Sequence, residues 1–252
     1  MVKVEGGQAL VPTHDYVGRA MLYVGDLDRK VSCVIDKVVR PGDVALDIGA
    51  NLGLVSLRLA KQVGAKGAVH AFEPSPRLEP YLTTTFDANP GLNIHHHPVA
   101  LGSERDELLL HIPRANAGAA TLRTEGSAVA TESISVPVYP LDEYVQDHSI
   151  NRIDFVKIDV EGFEAAVIQG GLKTFAELRP KAIIFEEHAN LNAGKPAYFM
   201  KLSEIGFDIF ALPKRFFKLA LVPIEGKKIP DSHDYVALCR DTETELTEFI
   251  TQ

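Results

Sequence analysis

The sequence predicts an α/β fold: a doubly wound, mostly parallel sheet closed by a C-terminal antiparallel hairpin. Three observations carry this expectation. Val44 to Ile48 is a short apolar run, as in a strand covered on both faces, and it leads through a glycine-bearing turn into a helical pattern. The same order of strand and helix returns after Gly67, after Ile153 and after Ala182. Two last apolar runs, Phe207 to Leu212 and Tyr235 to Cys239, have no helix of convincing length between them, so they read as a hairpin.

Taken in order, residues 1–27 are weakly patterned and broken by Gly6-Gly7, Pro12 and Gly25, which predicts short elements lying over the domain. Val31, Val34, Ile35 and Val38 recur at helical spacing, so a helix is expected over Asp28 to Val39, ended by Pro41-Gly42. Leu54 to Val63 is the helix after the glycine turn, with Gly64 as its stop. Gly67 to Phe72 is the second strand. Ser75-Pro76 supplies an N-cap and a proline for a helix with Leu78, Leu82 and Phe86 inward, stopped by Asn89-Pro90-Gly91. Ile94 to Leu101 reads as the third strand. Leu108 to Ile112 and Ile134 to Val138 read as an inserted strand pair around a long loop, Arg114 to Thr131. A short helix starts at Leu141. Ile153 to Val160 is the fourth parallel strand, Glu164 to Gln169 a helix closed by Gly170-Gly171, and Ala182 to Phe185 the fifth strand. Tyr198, Phe199, Leu202 and Ile205 mark another helix, with Gly206 as its stop. The acidic tail after Arg240 is expected to fray. The reading is one domain: a cap over 1–40, a core over 41–240 and a tail over 241–252.

Composition bounds the function. With 252 residues, 46% hydrophobic and 24% charged, the chain is an ordinary globular protein with a full core. A net charge of −8 argues against non-specific binding to nucleic acid or to an anionic membrane. No apolar run approaches a membrane span, and Met1 to Val11 does not read as a secretory signal. Cys33 and Cys239 sit far apart in apolar patterns and are expected to be buried thiols, which fits a cytoplasmic protein.

The turn Asp47-Ile48-Gly49-Ala50-Asn51-Leu52-Gly53 suits a nucleoside. Glycines let the backbone approach a ligand, and the following helix directs free N–H groups at it. Glu73 stands where the second parallel strand should end, and a carboxylate there can accept both hydroxyl protons of a ribose. A dinucleotide fingerprint is excluded. Counted from Gly49, its second and third glycine positions hold Asn51 and Leu54. This leaves a nicotinamide-dependent reductase as a weaker alternative, beside a cofactor-binding module without catalysis.

Four motifs in this order carry a resemblance: Asp47 to Gly53, Phe72-Glu73-Pro74, Ala100-Leu101-Gly102, and Lys157-Ile158-Asp159-Val160-Glu161-Gly162-Phe163-Glu164. Together they resemble the FkbM family of S-adenosylmethionine-dependent methyltransferases, over about Pro41 to Arg240. The resemblance implies a class I methyltransferase-like fold with a seven-stranded, mostly parallel sheet. It also implies methyl transfer to a hydroxyl of a small molecule such as a sugar or natural product. It puts Asp47, Gly49, Ala50, Asn51 and Gly53 under the methionine part and the ribose, Glu73 and Pro74 at the ribose, and Val99 and Ala100 at the adenine edge. Asp159 and Glu161 would face the sulfonium and the acceptor.

The general base is open among Asp159, Glu161, Glu187 and His188. Glu161 and Glu164 can equally serve only to stabilise a helix N-terminus. Alternation sends Glu186 and Glu187 to opposite sides of the sheet, so one of them at most faces the cleft. A divalent cation held by Asp159 and a neighbouring carboxylate is an alternative way to activate the hydroxyl, without a clear ligand set. In His95-His96-His97 only the outer two share a face, too few for zinc, so no metal site is assigned. Asn116, Gly118 and Thr121 in the long loop are candidates to order over the substrate. The acceptor itself and the oligomeric state are not legible.

Overall fold

The computed structural model describes residues 1–12, 29–113, 120–122, 131–213, 219–225, 229–242 and 244–250. Its centre is a sheet of β3 (Val44–Ile48), β4 (Ala68–Phe72), β5 (Ile94–His97), β9 (Phe155–Ile158), β10 (Ala182–Glu186), β11 (Phe207–Ala211), β12 (Val222–Pro223) and β13 (Asp234–Cys239). The strand order is β12-β11-β13-β10-β9-β3-β4-β5. From β5 to β10 all neighbours are parallel. β13 runs antiparallel between β10 and β11. Two expectations change here. The last two long strands are paired antiparallel, but β13 inserts beside β10 and does not extend the edge as a simple hairpin. The sheet has eight strands because the two-residue β12 adds to β11.

Both faces are covered, which is why the strands are near-continuously apolar. On one face Leu46, Ile48, Val156, Ile158, Ile183 and Phe185 pack with α4 (Leu141–Asp147), α5 (Glu164–Gly170), α6 (Leu172–Leu178) and α7 (Ala197–Glu204). On the other, Ala45, Phe155, Ile184 and Val236 pack with α1 (Arg29–Val38) and α2 (Leu54–Val63). The expected helix start at Asp28 lies outside the described residues.

The expected third strand is broken. Pro98 has no N–H for a ladder, and the Val99 N–H turns back to the His97 carbonyl at 2.9 Å. The chain then leaves the main sheet as β6 (Ala100–Gly102). β6 joins β7 (Asp106–Pro113) and β8 (Thr131–Pro140) in a second sheet of order β6-β8-β7. β7 and β8 are the inserted pair, longer than expected.

Other differences are local. The helix expected from Ser75 is α3 (Glu79–Asp87). The Ser75 carbonyl accepts from Leu78 and Glu79 N–H in a turn that precedes it. Gly170-Gly171 closes α5 as expected, with Gly171 as its C-cap, and a separate short helix, α6, follows at once and buries Phe175. A hairpin of β1 (Val2–Val4) and β2 (Gly7–Ala9) places Val4, Ala9 and Val11 against Leu52, Leu57 and Leu78. It therefore backs the glycine turn from outside. Cys33 is exposed, Cys239 is buried, and both are free thiols. Among the described residues no helix is long and apolar enough to cross a membrane.

The tail does not fray over residues 244–250. Glu245 pairs with Lys37 and Arg40 of the α1 region, and Leu246 is fully buried in the 3-10 turn Glu245–Phe249. Leu246→Ala should therefore cost about 2–5 kcal/mol of unfolding free energy in urea titrations. A loss below about 0.5 kcal/mol would show that the tail is not part of the core.

Candidate active site

β3 ends against the turn that follows β9. Gly49 has φ 80°, and a Cβ there would lie 1.8 Å from the Asp159 carbonyl oxygen, so only glycine fits. Gly53, with φ 77°, precedes α2, and a Cβ would meet the Phe86 ring at 2.8 Å. Its requirement is packing against α3. Asp47 is fully buried below the turn. Its Oδ2 accepts from Ser56 Oγ at 2.6 Å, and its Oδ1 lies 3.4 Å from Lys157 Nζ.

Lys157 is cross-strand from Asp47 and equally enclosed. Its ammonium donates to the Gly49 carbonyl at 2.9 Å and lies 3.3 Å from Asp159 Oδ2. Burial lowers the Lys157 pKa, but Asp159 and Asp47 more than reverse this, so the lysine is held in its charged form. Burial pushes the Asp47 carboxyl up, opposed by Lys157 and the Ser56 hydroxyl.

Glu73 follows β4 and is also buried. Its Oε2 accepts from Asn51 N–H at 2.9 Å, and its Oε1 from Ser75 N–H at 3.0 Å. Burial raises its pKa against those two bonds. Asn51, at φ 54°, holds a left-handed conformation that aims its N–H at this carboxylate. Each carboxylate oxygen keeps a further acceptor position.

Gly49, Asn51, Glu73 and Asp159 border a cleft of about 650 Å³, its open mouth included. Gly49 and Asn51 line one side, and Glu73 and Pro74 the next. Val99 and Ala100 follow, and Asp159 and Glu161 close the circuit. Leu110, Ala120 and Leu122 from the inserted sheet form the opposite wall, with Phe163. Thr121 pairs with His111 through the backbone, and its hydroxyl donates to the Glu161 carbonyl at 2.8 Å. Asn116 and Gly118 lie outside the described residues.

The turn after β9 is tightly held. Glu164 Oε1 accepts from Val160 N–H at 3.0 Å and Gly162 N–H at 3.1 Å, so this carboxylate caps the turn. Glu161 has φ 53°, a strained conformation for a residue with a side chain. Its carboxyl is pushed up by burial and by Asp159 and Glu164. Glu186 ends β10, next to Asp159 by strand register. Burial, Asp159, Glu161 and Glu164 push it up to about 7. Glu187 faces elsewhere: Tyr198 OH donates to it at 2.8 Å and Ala189 N–H at 2.7 Å. His188 lies with Nε2 3.5 Å from Glu186 Oε2 and Nδ1 3.2 Å from His233 Nδ1.

Of the residues expected from sequence, Gly49, Asn51, Glu73, Pro74, Val99, Ala100, Asp159 and Glu161 thus border one cleft. Asp47, Ala50 and Gly53 do not border it, and Asp47 and Gly53 support it from beneath. Glu187 and His188 do not border it either. Sequence reasoning left out Lys157 and Ser56 as site residues, although a lone cation inside an apolar strand is a signal. It also passed over Leu110 and Phe163, which resemble ordinary core. In the histidine run, the His97 ring meets His70 at 2.9 Å and Tyr144 OH at 3.0 Å. Burial pushes His97 down to about 3 and His70 to about 4, so both rings are neutral. Among the described residues no three His, Cys, Asp or Glu side chains are placed to hold a metal.

The sequence profile of the methyltransferase FkbM domain matches residues 47–209. A hexuronic acid methyltransferase, AglP, from Haloferax volcanii is 31% identical over 170 residues, which are 68% of this chain and 66% of that protein. The 2-O-methyltransferase NoeI of Sinorhizobium fredii is 24% identical over 170 residues, 62% of this chain and 68% of that protein. Among solved structures, a methyltransferase FkbM from Methylobacillus flagellatus aligns with 80% of this chain and 48% of its own, at 16% identity and a TM-score of 0.47. The chain thus spans about two thirds of these two curated relatives and about half of that solved chain.

Lys157→Met removes the cation between two carboxylates and should cost about 3–5 kcal/mol of stability at neutral pH. Without Lys157 the folded-state pKa of Asp47 rises further above its unfolded value. The deficit against wild type should therefore narrow as pH falls toward the ordinary carboxylate range. Urea titrations at several pH values measure it.

Proposed function

Because the chain belongs to the methyltransferase FkbM family, we propose that it is an S-adenosylmethionine-dependent O-methyltransferase acting on a hydroxyl of a sugar or a related small molecule. The sugar is suggested by the names of two relatives, a hexuronic acid methyltransferase and a 2-O-methyltransferase. The observation that carries the donor assignment is Glu73. It is a buried carboxylate at the cleft, fixed by two backbone N–H groups and retaining acceptor capacity on both oxygens. That is what a vicinal diol requires, and the residues present fit an adenosyl group.

S-adenosylmethionine supplies an electrophilic methyl group on a cationic sulfur. In this reading Glu73 takes the ribose hydroxyls, with Pro74 beside it. Val99 and Ala100 border the adenine, and Gly49 and Asn51 lie along the methionine part. Asp47, Ala50 and Gly53 set the turn and do not touch the ligand. Asp159 stands toward the sulfonium, and Glu161 toward the acceptor. Positioning the hydroxyl in line with the carbon–sulfur bond would supply much of the rate. The divalent-cation alternative is less supported, because Lys157 already pairs with Asp159. Residues 41–240 would carry this site, with the N-terminal hairpin as support.

Calorimetry tests this reading. Wild-type protein should bind S-adenosylhomocysteine and give no heat with NADH. Glu73→Ala should weaken S-adenosylhomocysteine by about 10- to 150-fold, the worth of hydrogen bonds to a charged group, about 1.5–3 kcal/mol. No heat with S-adenosylhomocysteine would reject the proposal, and binding of NADH instead would favour a reductase.

A further inference from the structure

The acceptor half of the cleft has a chemistry of its own. Gly49, Asn51 and Glu73 lie along the donor in the reading above. The other side is lined by Asp159, Val160, Glu161 and Phe163 from the turn after β9, and by Leu110, Ala120 and Leu122 from the inserted sheet. The two parts are fastened together. The Thr121 hydroxyl donates to the Glu161 carbonyl at 2.8 Å, so the apolar wall stands beside the acidic turn. The Phe163 ring lies against Gly102 of β6, where a Cβ would come within 3.1 Å of it.

The two acids of this half differ. Asp159 is paired with Lys157. Glu161 is exposed, lines the cleft from a left-handed backbone, and among the described residues its carboxyl has no hydrogen-bond or ion-pair partner. Burial, then Asp159 and Glu164, push that carboxyl up, with His188 and Lys157 opposing, so it already stands among like charges. Among the described residues lining the cleft none is Lys, Arg or His. Lys157, beneath the lining, is committed to Asp47, Asp159 and the Gly49 carbonyl.

Charge therefore selects the acceptor. An anionic sugar would bring a second negative charge to Glu161, with no described cation to receive it. A cationic one would set its charge beside the sulfonium of the donor. An uncharged pyranose meets neither cost. Its C–H face suits Leu110, Leu122 and Phe163, and one of its hydroxyls can donate to the open lone pairs of Glu161. We propose that the methyl acceptor is an uncharged pyranoside, and that Glu161 turns away anionic sugars while accepting a hydroxyl hydrogen bond from the neutral one. This rests on the methyltransferase reading above and narrows its substrate. It departs from the hexuronic acid in the name of the AglP relative.

The test uses wild-type protein, methyl-labelled S-adenosylmethionine and a set of methyl pyranosides in gluco, manno, galacto and rhamno configuration. The first three are supplied also as 6-uronates, 6-uronamides and 6-amino-6-deoxy sugars. A uronate and its uronamide share every hydroxyl and differ in charge. Label should enter neutral members, and kcat/KM for a uronamide should exceed that for its uronate about 10-fold or more. That ratio should shrink as ionic strength rises from about 0.02 M to about 0.5 M, which a purely steric preference would not do. In Glu161→Gln it should fall to within about 3-fold. The same ratio, read as dissociation constants for the S-adenosylhomocysteine complex, needs no turnover, and the heat with S-adenosylhomocysteine shows that the variant is folded. Uronates or ammonium sugars used as well as their neutral counterparts, or a wild-type protein that binds S-adenosylhomocysteine and labels no member of the set, would overturn the acceptor class. An unchanged ratio in Glu161→Gln would overturn the role of Glu161. Failure of the parent reading has a separate sign, the absence of S-adenosylhomocysteine heat in wild-type protein.

Discussion

The site depends on one buried ammonium. Lys157 sits between two strand ends that would otherwise carry only carboxylates, and it bonds to three things at once: Asp47, Asp159 and the Gly49 carbonyl. Each contact belongs to a different functional feature. Asp47 lies under the first turn, Gly49 is the point where that turn meets the cleft, and Asp159 opens the second turn. An isolated buried charge costs several kcal/mol, and this one is tolerated because the fully buried Asp47, the half-exposed Asp159 and the Gly49 carbonyl all face it. The pair of turns is therefore a unit, and the spacing between the two halves of the cleft is set by the strand register of Asp47 and Lys157.

The second constraint is Pro98. It ends the third parallel strand and sends the chain into a separate small sheet, whose apolar residues Leu110, Ala120 and Leu122 return as a wall of the same cleft. Thr121 fastens that wall to the Glu161 carbonyl. The strained backbone at Glu161 is thus held from two sides, by Glu164 within its own turn and by Thr121 across the cleft. One consequence is that the shape of this side of the cleft depends on the inserted sheet as much as on the parallel core.

The parallel core was legible because it obeys a simple rule. Strands buried on both faces have continuous apolar runs, and glycines mark their turns. The positions of Gly49, Asn51, Glu73 and Asp159 follow from that rule and from the family resemblance. What sequence could not show was which neighbouring carboxylate faces which way. Glu186 and Glu187 differ by one position and so by 180° of strand orientation, and the choice turns on whether Tyr198 lies on one face of β10. Pro98 was read as part of a strand because the apolar residues continue past it. The tail was read as loose because charge dominates its composition, although a single leucine at 246 anchors it.

The charge of the cleft poses a problem that any account of the proposed reaction must meet. Carboxylates attract a sulfonium, but the methyl transfer removes that positive charge. Interactions with the donor's charge therefore stabilise the ground state more than the transition state, and by themselves they slow the chemical step. Lys157 limits this effect by satisfying Asp159, so that side chain would not hold the full attraction of a free carboxylate for the sulfonium of the proposed donor. What remains useful is a carboxylate whose demand for a proton grows as the acceptor loses one. Glu186, at the end of β10, shows the effect of such crowding: burial and its like-charged neighbours Asp159, Glu161 and Glu164 favour its protonated form. The same crowd of acids that would trap a cation in the ground state thus raises the proton affinity of Glu186.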